Sequence, residues 1–162
     1  MTTTFLMNFY YTLDALMGVY ALYSWYQQVR IEHAAVYRWS SLIWSVILIW
    51  IGFIWDFLEN GPGLPIFLAI FLVISILDGF SGLGNKRIVL SGYFHRTLNY
   101  ADLEQVSIFS VPQGIGPMIM LVLHTKSHRI YYLRFKTDIE TVVKYLKEKT
   151  NNQVAIQIEI MQ

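Results

Sequence analysis

Cysteine is missing from all 162 residues of the chain. Its absence excludes disulfides, thiolate metal sites and a cysteine nucleophile, and leaves the redox compartment open. Charge is scarce too. Only 14% of residues are charged, against about 25% in ordinary soluble domains. The net charge of +1 comes with no concentrated basic footprint, so nucleic acid is not an expected partner. Proline is confined to two short segments, GPGLP at 61–65 and PQGIGP at 112–117, where regular hydrogen bonding is interrupted. Before the first apolar stretch there is neither a basic run nor a small-residue cleavage site, so the N-terminus does not read as a removable signal peptide.

What is plentiful is apolar surface: 55% of residues, with a mean hydropathy of +0.43. Its distribution is uneven. Between Trp39 and Gly84 the only charges are Asp56, Glu59 and Asp78, whereas charge density is ordinary from Asn85 onward. That split predicts a helical membrane anchor over 1–84 and a second domain over 85–162.

Three segments are candidate spans, at about 5–26, 39–58 and 62–83. The second, WSSLIWSVILIWIGFIW from Trp39 to Trp55, has no charge and has tryptophans at both ends, where rings favour the headgroup layer. About twenty apolar residues cross a bilayer. The third is apolar from Leu64 to Leu77 and needs its flanks to reach that length, which puts Asp78 near an interface. The first is long enough but carries Asn8 and Asp14, and a central carboxylate costs about 2.5–3.5 kcal/mol. Spanning is the favoured reading for it; the alternative is an amphipathic helix lying in the interface. Arg30 and Arg38 in the first connection, and Lys86 with Arg87 after the third span, place those segments inside. The expected location is therefore the cell membrane, multi-pass, with the N-terminus outside and the C-terminal domain cytoplasmic.

The second half reads as strands. Arg87–Leu90, Tyr93–Leu98 and Glu104–Val111 are β-runs, and Met118–Thr125 with Arg129–Phe135 form a hairpin about Lys126-Ser127-His128. Thr137-Asp138-Ile139-Glu140 is a capping box. Ile139, Val142, Val143 and Leu146 follow at helical spacing. From Val154 to Ile160 the alternation is that of a half-buried strand.

Two apolar spans, then KRIVLSGYFHRTLNYADLEQVSIF at 86–109, a hairpin and one amphipathic helix, together resemble the membrane-tethered bacterial PH-like domains. Asp102-Leu103-Glu104-Gln105-Val106 matches the aspartate-to-valine step of that family. The resemblance covers about half of the chain. It implies a curved sheet closed by a helix, and hence a fold class of three-span α-helical membrane anchor plus an α+β PH-like cytosolic domain. The strand after the helix departs from the family's pattern.

No constellation of residues points to a reaction. Asp14 is read either as an intramembrane carboxylate that pairs or relays a proton, or as a polar residue at a helix interface; with no Lys, Arg or His in the spans, the second is preferred. Asp78 is read as a helix-end residue. His95, His124 and His128 lack accompanying carboxylates at ligand spacing, so no metal is expected. SGLGNKR at 81–87 lacks the spacing and preceding strand of a phosphate loop, and no cofactor is expected. A basic set remains: Lys86, Arg87, His95, Arg96, Lys126, His128, Arg129, Arg134 and Lys136. It is read as a face toward anionic headgroups or a protein partner, at about 1 kcal/mol per basic residue near lipid, or equally as solvated strand positions. The functional expectation is a non-enzymatic membrane accessory or interaction protein. The alternative is a membrane-resident immunity protein against a toxin. Neighbouring genes would discriminate the two.

Overall fold

The computed structural model describes residues 2–54, 63–94, 97–111, 118–151 and 153–160. They form two compact units. One is helical, Met1–Val29 with Arg38–Gly79; the other holds the sheets, Arg30–Tyr37 with Phe80–Gln162. Residues 30–37 and 80–84 thus join the sheet unit, whereas the sequence places them with the anchor.

The helical unit comprises α1 (Thr2–Val29), α2 (Trp39–Ile54) and α3 (Gly63–Asp78). The helices lie where apolar runs predict them, yet among the described residues none is long and apolar enough to cross a membrane. This overturns the three-span anchor, the membrane assignment and the multi-pass location with its outside N-terminus and cytoplasmic C-terminal domain. The reasons are local. Over their described residues α2 and α3 run 16 residues each, about 24 Å at roughly 1.5 Å per residue, against the hydrocarbon's roughly 30 Å. After Asp78 the chain turns into a strand instead of continuing to Leu83. α1 has the length, at 28 residues, but Asn8, Thr12, Asp14, Gln27 and Gln28 dilute its apolar character. The stretch 55–62, including the end of the second expected span and most of GPGLP, lies outside the described residues.

The sheet unit contains two four-stranded sheets. In the first, β1 (Ile31–Ala34), β2 (Gly82–Gly84), β3 (Arg87–Val89) and β4 (Thr97–Asn99) pair antiparallel in that order. β1 is absent from the sequence reading, and its neighbour β2 lies some fifty residues along the chain. The contact is so close that a Cβ on Gly84 would stand 2.7 Å from the Arg30 carbonyl oxygen, and one on Gly82 would meet that of His33. The glycines of SGLGNKR therefore serve strand pairing. β4 is shorter than the expected Tyr93–Leu98 run, because Phe94 takes a left-handed φ of 64° in a turn.

The second sheet has the order β7 (Ile130–Phe135), β6 (Met118–Thr125), β5 (Leu103–Val111), β8 (Ala155–Ile160). β7, β6 and β5 are antiparallel, and β8 runs parallel to β5. The backbone beyond β1 adds one bond to this sheet's other edge, Val36 N–H donating to Arg134 O at 2.6 Å. α4 (Ile139–Lys149) packs Val142 and Leu146 into one core with Leu83 and Ile88 of the first sheet and Val106, Leu121 and Leu133 of the second. The capping box does not form. The helix begins at Ile139 with Asp138 as N-cap and no side-chain cap bond, so Glu140 is the second helical residue and cannot close a box on Thr137. At the other end Thr150 satisfies the Leu146 carbonyl through both N–H (2.9 Å) and Oγ1 (2.7 Å), and Asn151 turns left-handed at φ 49°.

Candidate functional site: an exposed sheet face

Strand alternation sorts the second sheet into two faces. Val106, Ile108, Ile119, Leu121, Leu123, Leu133 and Phe135 point into the core. The opposite face is built of rows read across the paired strands. One row is Tyr132, Val122, Ser107 and Gln157; beside it lie Ile130, His124, Gln105 and Ala155 on one side, and Arg134, Met120 and Phe109 on the other. Val122 and Ser107 are buried between taller neighbours, while Tyr132 is 62% and Ile130 48% exposed. Polar groups at the β8 side are engaged with one another: Gln105 Nε2 donates to Gln157 Oε1 at 2.7 Å. What remains open is an aromatic and aliphatic strip along β7 with Arg134 at its end.

The basic residues named from sequence do not gather on one patch. Lys86 and Arg87 are exposed at the β2–β3 turn of the first sheet. Lys126, His128 and Arg129 are exposed at the β6–β7 turn. Arg134 pairs with Met120, four residues along β7 from the Ile130–His124 pair, and is therefore about 13 Å from the turn. Lys136 lies one step beyond β7. Lys126 has a structural engagement: its Nζ donates to Ala101 O at 2.8 Å and its backbone N–H to Asp102 O at 3.0 Å, closing the short 3-10 turn of Tyr100–Asp102. His95 and Arg96 lie outside the described residues. His124 is half-buried on the outer sheet face and His128 sits in the hairpin turn, and among the described residues no group of three or more metal-ligating side chains forms.

A polar cluster that sequence reading missed lies where α4 crosses the first sheet. The Tyr145 hydroxyl donates to Glu32 Oε2 at 2.7 Å, and His33 sets its ring edge-on to Tyr145 with centroids 4.6 Å apart. Lys149 Nζ donates to Asn85 Oδ1 at 2.7 Å. Below them the buried Tyr100 hydroxyl donates to Gly84 O at 2.7 Å. Burial, above all, holds both phenols well above the ordinary tyrosine range, with Glu32 opposing their ionisation. Both phenolic protons are committed to acceptors, so the cluster clasps helix to sheet. Its signal was hidden because Glu32 and Tyr145 are 113 residues apart.

In the helical unit Asp14 is 8% and Asp78 2% exposed. Tyr10, Asp14, Met17, Ala21, Ser24 and Gln28 recur at three- and four-residue spacing on the covered side of α1, which packs against α3. Both Asp14 carboxylate oxygens lack a hydrogen-bond partner among the described residues. Burial raises its pKa above the ordinary 3.8.

No family model matches the chain, and neither a curated protein nor a solved structure matches it.

Proposed function

We propose that this chain is a non-enzymatic interaction protein whose sheet unit binds a protein partner on the outer face of the β7-β6-β5-β8 sheet. The observation carrying this reading is the exposed strip of Ile130, Tyr132 and Arg134 beside Met120 and Phe109. Aromatic residues, Met and Arg are the types enriched at protein interfaces, and Tyr and Arg dominate their energetics. The two sheets and α4 close one core in this unit, and β8 runs parallel to β5. The dispersal of the basic side chains, and the use of Lys126 in the fold, weigh against recognition of an anionic surface by a concentrated patch.

The test is site-specific photo-crosslinking of the full chain in its native cells. A photoreactive residue replacing Tyr132 should give a discrete protein adduct, and one replacing the exposed Lys147 of α4 should not. Adducts of equal yield at both positions, or none at Tyr132, would overturn the assignment.

A further inference from the structure

The inner side of α1 contains a carboxyl group in a place built to reject its charge. Asp14 is nine-tenths buried, and both of its oxygens are without a partner among the described residues. An isolated buried carboxylate is costly unless it is paired. Among the described residues of these helices no cation pairs with it. α1, α2 and α3 contain no Lys, Arg or His at all. On α3, the helix packed against α1, the single ionisable side chain is Asp78, whose charge could only oppose ionisation of Asp14. α1 itself adds only tyrosines, at positions 10, 11, 20, 23 and 26.

The protonated form has a route that the ionised form lacks. A carboxylate only accepts hydrogen bonds, whereas a carboxylic acid has an O–H to donate. Short side chains in these helices already donate to the carbonyl one turn back: Thr12 Oγ1 to Asn8 O and Ser75 Oγ to Phe71 O, each at 2.8 Å. The carbonyl of Tyr10 stands in the same relation to Asp14.

We propose that Asp14 is a proton-binding latch: α1 docks on α3 with this carboxyl protonated, and its deprotonation loosens the docked helix. The proposal is independent of the partner-binding reading, which concerns the other unit. The direction of the effect follows from linkage. Because the docked-state pKa is raised above the ordinary 3.8 by burial, the contribution to docking is fully present below 3.8 and is lost as pH rises through the docked-state value. Between those two values a proton is released on opening, so the opening constant of α1 should rise with pH there, by at most about tenfold per pH unit, and be level on either side.

Hydrogen exchange of the α1 amides in the full chain, corrected at each pH for intrinsic exchange, reads that constant. The wild-type chain should show the rise, Asp14→Asn should abolish it, and Asp78→Asn should leave it in place. A level wild-type profile overturns the proposal without any variant, so a failure of Asp14→Asn to fold does not shield it. A rise that persists in Asp14→Asn, or that disappears in Asp78→Asn alone, overturns it as well.

Discussion

The two units of this protein dispose of their apolar residues in opposite ways. Among the described residues, sixteen of the seventeen buried hydrophobic ones belong to the sheet unit and Ile74 to the helical one. The helical unit instead encloses Asp14, Ser24, Gln27, Ser45, Ser75 and Asp78, and turns Trp39, Trp44, Trp50, Ile54, Leu16 and Trp25 outward. A sheet with strict alternation has a dry face and a wet face and can close a core on itself. Helices apolar all round have no such preference, and a three-helix group of this size cannot bury every side of each. The apolar groove of about 350 Å³ along Leu48, Ile51, Leu64, Phe67, Leu68 and Phe71 belongs to the same surplus. Most of the described buried apolar side chains thus lie in the sheet unit, while the helical unit exposes much of its apolar surface.

The most direct way to break that contrast is to truncate one large apolar side chain in each unit. Leu121 is fully buried at the centre of the second sheet, and Leu121→Ala should cost the sheet unit about 2–5 kcal/mol. Trp50 is 68% exposed, so Trp50→Ala should change the unfolding of the isolated chain by about 0.5 kcal/mol or less. Denaturant titrations of both variants decide it. Comparable losses would show that the helical unit has an apolar core of its own.

The same contrast governs how much was legible in sequence. β6 is found over the residues expected of it, Met118–Thr125, and β5 and β7 begin within one residue of their expected starts, because alternating Val, Ile and Leu mark a sheet with one dry face. The stripe on α4 is right for the same reason, with Val142 and Leu146 buried and Ile139 and Val143 packed against the core. β1 was illegible: IEHA has four residues and takes its meaning from Gly82 and Gly84 far along the chain. Hydrophobicity locates the helices of the three apolar runs but says little of where they stop. The outer sheet face is legible in the opposite parity along β7, where Ile130, Tyr132 and Arg134 alternate with core positions. Closeness in sequence groups the basic set, whereas the hairpin carries Lys126 and Arg134 to different ends.

A smaller effect tests whether α4 is held by apolar packing alone or also by its polar clasp. Tyr145→Phe keeps the ring against His33 and removes the bond to Glu32. For a partly exposed pair this should cost about 0.5–1 kcal/mol near neutral pH. Because the folded-state pKa of Tyr145 is raised above 10.0, its stabilising contribution is present below pH 10 and is lost as pH climbs toward the folded value. The variant should thus lose less stability than wild type between neutral pH and pH 11, with Tyr100 supplying the remaining alkaline sensitivity. Parallel unfolding curves at the two pH values would show that the clasp adds nothing to packing.

The smallest expected change is a gain, and it isolates one backbone position in the well-packed unit. The β6–β7 hairpin closes through Thr125 N–H to Arg129 O at 3.0 Å and His128 N–H to Thr125 O at 2.9 Å. Thr125 Oγ1 adds a 2.9 Å bond to Arg129 O. The third loop residue, His128, is left-handed with φ 58°. A three-residue hairpin loop takes that conformation at its last position, and glycine is the residue that adopts it without steric cost. His128 is exposed, and among the described residues its side chain makes no hydrogen bond in the turn. Glycine does enlarge the freedom of the unfolded chain, and that offsets part of the relief from a strain of about 1 kcal/mol. His128→Gly should therefore stabilise the sheet unit by about 0.5 kcal/mol, read as a small upward shift of the denaturation midpoint with an unchanged slope. A loss of stability would mean that the imidazole, and not the loop backbone, is what the turn requires.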